Sequence, residues 1–485
     1  MKEEKMNYSI FADRAEVSFD GKNRSVICVQ GLGFVGAAMA VAISQARSES
    51  GDLAFNVLGV DLPNEQGQKV IDSLNRGEFP ISTNDNELLV ATALANKNGN
   101  LVATSDTSAY TIADVVIVDI NLDLGQPDAE GDPTVNFESF LKAIDIVGNS
   151  IRPNCLVLLE TTVPPGTCKN IVAPRLSECF KRRGLPADGF LLAHSYERVM
   201  PGDQYLQSII NFWRVYSGYT EEAANECEKF LKQIINTADY ALTRLDNTTA
   251  SETAKVLENS YRAMNIAFIE EWGRFAEGVG VDLFQVLNAI RVRPTHNNIR
   301  QPGFGVGGYC LTKDPLFARS SAKYIFNRPD IDFPFSKEAI RINNIMPLVS
   351  VRKLESMLNG QIENKKVILF GVSYRTDVSD TRYSPSEIFA KDLQSKKVQL
   401  VYHDPLVNFW EEMQVVPDKE LPNTDGVDAI VFAVGHKEYR KIDFVSWLGK
   451  NRPIILDANN VLTNDQINEL KKLGHTIGAI GRGDL

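Results

Sequence analysis

An α/β protein with two doubly wound, Rossmann-like domains, joined by a long central helix and a further helical region, is the fold class the sequence predicts. Three observations carry it. From Ser25 to about Thr237, strand-like apolar runs alternate with helical patterns. From about Asn247 to Gly278 the apolar period becomes that of a helix, and from Lys365 the alternation resumes.

In chain order, Ser25–Gln30, Asn56–Asp61, Asp114–Ile120 and Cys155–Glu160 are almost continuously apolar. That is the signature of parallel strands covered on both faces. In the middle stretch Leu257, Tyr261, Met264, Phe268, Trp272 and Phe275 recur at threes and fours, and the run stops at Gly278 and Gly280. A helix of that length bridges domains or forms an oligomer interface. More helical sequence follows to about Met346. Lys366–Phe370, Val398–Tyr402, Ala429–Val434 and Pro453–Asp457 then read as four further strands.

At 485 residues the chain exceeds a single hydrophobic core. Its 44 % hydrophobic and 23 % charged content is that of a globular protein. A net charge of −11 argues against nucleic acid or an anionic membrane as the main partner, so an anionic substrate must be held by local cations. The six cysteines, at 28, 155, 168, 179, 227 and 310, form no disulfide framework and fit a reducing compartment. Met1–Arg24 is polar and lacks the apolar core of a signal peptide, and no apolar run approaches the ~18–20 residues that span a bilayer. These features predict a cytoplasmic protein, and no metal-ligand pattern is read.

The first strand runs straight into Gly31-Leu32-Gly33-Phe34-Val35-Gly36, and a small-residue helix begins at Ala37. Gly31 permits the tight turn, Gly33 lets a pyrophosphate approach, and Gly36 allows close helix–strand packing, with the phosphates at the helix N-terminus. The second strand ends at Asp61, whose carboxylate can accept from both ribose hydroxyls and repel a 2′-phosphate, favouring NAD over NADP. Asp61 lies beyond the usual spacing of ~20 residues, and the polar stretch Ser48–Asp52 reads as a loop insertion that accounts for the excess.

The second chemical signal is Gly303-Phe304-Gly305-Val306-Gly307-Gly308-Tyr309-Cys310-Leu311-Thr312-Lys313-Asp314. A cysteine follows a glycine-rich loop, with a cation and a carboxylate three and four residues on. This pattern suits either a tight turn with an inert thiol or a reactive thiolate. A nicotinamide cofactor in the same chain favours the second. A thiolate adds to a carbonyl made by one hydride transfer, the adduct gives up a second hydride, and water releases the thioester. Such chemistry needs oxyanion stabilisation and a carboxylate to handle water. Lys255 and Asn259, four apart, share one helix face, with Glu252 and Arg262 nearby; the plainer reading is a solvated charged face. Glu197 follows the apolar run Phe190–Ala193, and Glu160-Thr161-Thr162 ends a buried strand, the edge where open α/β sheets place ligands.

Together these segments resemble the UDP-glucose/GDP-mannose dehydrogenase family of nucleotide-sugar 6-dehydrogenases. The likeness runs from Val26 to Gly478-Ala479-Ile480-Gly481-Arg482. Its most specific element is Gly307-Gly308-Tyr309-Cys310-Leu311-Thr312-Lys313-Asp314. Supporting it are Glu160–Thr167, Lys255-Val256-Leu257-Glu258-Asn259, Ser379–Pro385 and His403-Asp404-Pro405. The resemblance implies an NAD-binding domain over 22–238, a central helical domain over 239–347 and a UDP-binding domain over 348–485. It implies four-electron oxidation of a sugar C6 hydroxyl to a carboxylate with two NAD, for polysaccharide biosynthesis. Cys310 would be the nucleophile, Lys255 with Asn259 would stabilise oxyanions, Asp314 and Thr162 would position water, and Glu197 would act as base or orient that water. Phe34, Val35, Thr162 and Lys313 would join the glycines and Asp61 at the cofactor. Arg198, Gly307 and Arg382 would join Glu197, Lys255 and Asn259 at the UDP-sugar, Arg382 at its phosphates. A homodimer is implied, with Arg291 or Arg293 reaching the partner's sugar.

Tyr196-Glu197-Arg198-Val199-Met200-Pro201-Gly202 is similar to the UDP-N-acetylhexosamine branch, and Pro201 stands where the glucose branch has a second carboxylate. Three positions depart from the pattern: Tyr196 for proline, Tyr309 for histidine, and Asn121-Leu122-Asp123-Leu124 where a Thr-Pro pair is usual. Alternatives are a UDP-glucose or GDP-mannose enzyme, a two-electron hydroxyacid-type dehydrogenase, which needs no thiol, and a non-catalytic regulator that binds NAD or a nucleotide sugar.

Overall fold

Two units of α/β structure make up the protein, seen in a computed structural model that describes residues 24–199 and 202–485. The polar segment before Arg24, and Met200 and Pro201 of the sugar-branch motif, lie outside the described residues. The first unit holds 24–256 and Phe317–Asp332, and the second holds Leu257–Leu316 and Phe333–Leu485.

In the first unit the strands are β1 (Ser25–Gln30), β2 (Phe55–Val60), β3 (Leu101–Thr104), β4 (Val115–Val118), the hairpin β5 (Asp123–Leu124) and β6 (Val135–Asn136), β7 (Leu156–Leu159), β8 (Leu191–His194), β9 (Val215–Gly218) and β10 (Thr243–Arg244). Eight of them form a sheet ordered β10-β9-β8-β7-β4-β1-β2-β3. Alternate residues serve opposite faces, as the pleat requires. Ile27, Val29, Val57 and Ile117 enter one core, while Val26, Cys28, Leu58 and Val116 enter the other. Gly36, Ala37, Ala38 and Ala40 let the helix Phe34–Gln45 lie close on the sheet with nine residues buried.

Of the four strands expected here, β1 has its expected ends and the other three lie within two residues of theirs, whereas β3, β8 and β9 are among the additions. β3 and β9 break their short apolar runs with Thr104, Ser217 and Gly218, and β8 stands out only as the apolar stretch Phe190–Ala193. The pairing of β8 with β9 is antiparallel, with Ala193 opposite Gly218, so the sheet is mixed rather than wholly parallel. Ser48–Asp52 forms the expected loop, closed by Ser48 N–H donating to the Asp52 carbonyl at 2.8 Å. Phe317–Asp332 is tied to the β5–β6 connection by charge. Lys323 Nζ lies 2.5, 2.6 and 2.9 Å from Asp128, Glu130 and Asp132. The hydrogen bond from Arg319, assisted by Lys323, holds the Asp132 carboxyl down at about 2.

A 32-residue helix, Thr248–Val279, starts in the first unit, with the division after Val256. The second unit continues with helices Leu283–Arg291 and Pro334–Met357. The latter runs past the expected end at Met346 although Pro347 stands inside it, so the expected boundary at 347/348 falls within a helix. The second sheet is parallel, in the order β12-β11-β13-β14-β15, from β11 (Lys366–Phe370), β12 (Gln399–His403), β13 (Ala429–Phe432), β14 (Ile454–Asp457) and β15 (Ile477–Ala479). No helix among the described residues is long and apolar enough to cross a membrane.

Candidate active site

In the first unit the glycine turn has the form a dinucleotide needs. Gly31 has φ +89°, and a Cβ there would meet the Asp119 carbonyl oxygen at 2.4 Å; one at Gly36 would meet the Gly31 carbonyl oxygen at 1.9 Å. Neither position accepts a larger residue. Gly33 has no atom within 4 Å of its would-be Cβ, and as the cap of the helix Phe34–Gln45 it brings no side chain to the helix N-terminus. An open backbone surface therefore faces outward at a helix N-terminus, where a diphosphate is favoured. Phe34 and Val35 are half-buried in that first turn. Asp61, just after β2, accepts from Leu32 N–H at 2.9 Å and from Leu62 N–H at 2.7 Å. A carboxylate has about four acceptor positions, so two remain for a ribose. These residues fit NAD.

Beside the turn lies a buried polar cluster. Lys255 Nζ donates to the Glu197 carbonyl at 2.8 Å, lies 3.7 Å from Glu197 Oε1, and sits 5.3 Å over the Tyr196 ring. Lys255 and Glu197 are both buried, so Lys255 is not on a solvated face. Tyr196, in place of the expected proline, packs as a buried ring that also receives a 3.1 Å hydrogen bond from Arg198 on its hydroxyl. Arg198 donates as well to the Trp213 carbonyl at 2.7 Å. Thr162 is half-buried next to Thr161, whose hydroxyl joins the ends of β4 and β7 by donating to Ile120 O at 2.8 Å.

Glu252 corrects the charged-face reading most clearly. It is fully buried and accepts from Gly166 N–H at 2.5 Å and Cys168 N–H at 2.7 Å, pinning the loop after Thr162, while Arg262 is exposed. Burial pushes the Glu252 carboxyl up to about 7 against the pull of those N–H groups. His194 and Asp119 escaped sequence reading, and so did the partner of Glu160, a residue read only as the end of a strand, because only the fold brings these groups together. Glu160 pairs with Arg214 at 2.9 Å, both buried, and burial raises Glu160 to about 7. His194 shares a 2.7 Å bond with the Ser251 hydroxyl, and burial, with the nearby Lys255 charge, pushes it down to about 3, keeping it neutral.

In the second unit Cys310 is half-buried at the end of the glycine loop, and its carbonyl accepts from Asp314 N–H at 2.9 Å. Asp314 is fully buried, held by Asn259 Nδ2 at 2.8 Å and Lys313 Nζ at 2.8 Å. Lys313 Nζ also lies 4.1 Å over the Tyr309 ring, a cation–π contact that gives the departure at Tyr309 a packing role. Arg382 approaches the same ring at 5.8 Å, its guanidinium fixed to Asp380 at 2.8 Å, and its carbonyl accepts from Gly308 N–H at 3.2 Å. A Cβ on Gly307 would meet Tyr383 O at 2.7 Å, so the loop lies directly on the segment that carries Arg382. Asp404 accepts from Val372 and Ser373 N–H at 2.9 and 3.2 Å, and His436 Nε2 is 3.2 Å away. Burial would raise this carboxyl, but His436 and the N–H groups hold it at about 2. Standing after β12, it holds the turn after β11, as Asp61 after β2 holds the turn after β1. Arg291 is bound to the Ile299 carbonyl at 2.9 Å, and Arg293 is exposed.

Comparison with known proteins agrees with this anatomy. Residues 25–237 match the NAD binding domain of the UDP-glucose/GDP-mannose dehydrogenase family, 249–345 its central domain and 368–464 its UDP binding domain. A UDP-N-acetyl-D-mannosamine dehydrogenase of Pyrococcus horikoshii is 28 % identical over 95 % of this chain and 100 % of its own. The solved structure of a UDP-D-ManNAc dehydrogenase from that organism covers the same shares at a TM-score of 0.78. An NDP-N-acetyl-D-galactosaminuronic acid dehydrogenase of Methanosarcina mazei is 27 % identical, covers 95 % of this chain and 96 % of its own, and has a TM-score of 0.75.

Proposed function

The chain belongs to the UDP-glucose/GDP-mannose dehydrogenase family, and on that premise we propose that this NAD-dependent nucleotide-sugar dehydrogenase oxidises the C6 hydroxyl of a UDP-N-acetylhexosamine to the carboxylate through a Cys310 thioester. The observation that carries the reading is the half-buried Cys310 beside an Asp314 that Asn259 and Lys313 hold in place. Support for the sugar class comes from the names of the relatives above and from the Glu197-Arg198-Val199 segment.

NAD supplies a hydride acceptor, twice for each sugar. The Cys310 thiolate adds to the C6 carbonyl to give a thiohemiacetal, and loss of hydride from that carbon leaves the thioester. Water then adds to the acyl carbon, the C–S bond breaks, and the thiolate returns as the carboxylate departs. Lys255 and Asn259 stabilise the oxyanions, and Asp314, Thr162 and Glu197 hold the attacking water, Glu197 taking its proton. Gly31, Gly33, Phe34, Val35, Gly36, Asp61, Thr162 and Lys313 hold the cofactor. Arg198, Gly307 and Arg382 hold the nucleotide sugar, and the NAD-binding, central helical and UDP-binding parts divide these tasks, the last beginning after the helix that ends at Met357 rather than at 348.

We also assign the working form as a homodimer built on the long helix. Leu257, Tyr261, Phe268, Trp272, Phe275 and Val279 are between 46 % and 65 % exposed on it, an apolar stripe of the kind that marks an interface. An anaerobic assay over UDP- and GDP-sugars tests the function. Two NADH per UDP-N-acetylhexosamine, with uronic acid as product, is the expected result. One NADH with free aldehyde overturns it.

A further inference from the structure

Asp119 follows β4 directly, at the crevice between β4 and β1 where the sheet order reverses, and its N–H donates to the Gln30 carbonyl at 2.9 Å. The glycine turn rests on it. Its carbonyl oxygen fills the place a Gly31 Cβ would take, and its Oδ2 lies 3.2 Å from where a Gly36 Cβ would be. That oxygen is sealed from solvent and has no hydrogen-bond partner. A buried oxygen left without a partner is costly, and more so when charged. The turn is also where a dinucleotide puts its diphosphate, next to which an ionised carboxylate is repelled.

We propose that Asp119 meets NAD as a protonated carboxyl that donates to the cofactor's diphosphate, so that NAD captured from alkaline solution brings a proton with it. The surroundings favour the neutral form. Burial raises the carboxyl well above its ordinary range, and Glu160 after β7 and Glu197 after β8 add to the effect; Arg214 before β9 and Lys255 on the long helix oppose it. Asp61, across the turn, is engaged by Leu32 and Leu62 N–H, which leaves Asp119 as the carboxyl against the first helical turn.

Cofactor affinity measured by calorimetry between pH 6 and 9, with proton uptake read from buffers of different ionisation enthalpy, tests this. The wild-type dissociation constant should rise with pH, by up to about tenfold per unit on the alkaline limb, with close to one proton taken up there. Asp119→Asn, a neutral isostere that keeps a donor, should bind with wild-type neutral-pH affinity, show no slope and take up no proton. Asp119→Ala should lose affinity yet also be flat, and thermal unfolding checks that both variants fold. A pH-independent wild-type affinity overturns the proposal. So does a slope retained in Asp119→Asn, or a more than tenfold loss of neutral-pH affinity in that variant.

Discussion

Cys310 owes its setting to neighbours whose own charges are already paired. Lys313 and Asp314 bond each other, Asn259 completes the Asp314 carboxylate, and Arg382 is fixed to Asp380. The sulfur is the group in this loop with nucleophilic chemistry to offer. Cys310→Ser should therefore fold normally, bind NAD and UDP-sugar, and lose net turnover by more than about a thousandfold, measured as NADH formed per enzyme. Retained two-step turnover would remove the thiol from the account. Glu252 makes a separate, pH-dependent prediction. Its folded-state value of about 7 stands above the unfolded 4.5. Between those values the folded chain keeps a proton that the unfolded chain releases, so this group's stabilising contribution is whole below about 4.5 and fades as pH rises through about 7. The change is on the order of 3 kcal/mol. Urea unfolding of wild type and Glu252→Gln should show the variant gaining on wild type by about that much between pH 4.5 and pH 8. A difference constant across that range contradicts it. Cys310, Asp314 and Lys313 were legible because they are adjacent in sequence. The partners of Glu160 and His194 lie 54 and 57 residues away, and no local pattern announces such a contact.

At the scale of elements, the turn between β1 and its helix was legible down to the single glycine, since its steric demands are local. Asp61 was expected at a ribose, and it also holds Leu32 of the turn. Asp61→Ala should weaken NAD binding by about tenfold or more by removing a charge-assisted acceptor, while leaving UDP-sugar affinity within about twofold. Equal loss of both ligands in titration calorimetry would show that the assignment of ligands to domains is wrong. The long helix illustrates a limit of periodicity. Its stripe at threes and fours is real, but the period alone does not say whether a core or a partner covers it. Here much of the stripe is exposed. Phe268→Glu together with Trp272→Glu should shift sedimentation from dimer to monomer, and an unchanged dimer would place the interface elsewhere. Strands buried on both faces, such as β1, β2 and β11, stood out by their unbroken apolar runs. The four-residue strands β3, β8 and β9 did not, and neither did the antiparallel turn of β9 against β8, because pairing direction is set by the connection and not by composition.

For the whole molecule, the order of an NAD-binding sheet, a helical middle and a second parallel sheet without a glycine fingerprint was legible from one end to the other. It was so because each part carries its own period and its own motif. Less legible was the course of the chain between those parts. Phe317–Asp332 returns to the first unit, held by Lys323 and Arg319 on three acidic residues almost two hundred positions earlier. The central claim, covalent capture by Cys310, is tested most directly by acid-quenching the enzyme during turnover of a UDP-N-acetylhexosamine and weighing its peptides. The account predicts that the Cys310 peptide gains the mass of the sugar nucleotide's acyl group, and that the added mass is lost on treatment with hydroxylamine. A steady state that makes two NADH per sugar while that peptide stays unmodified, with the Cys310→Ser enzyme still active, would contradict it.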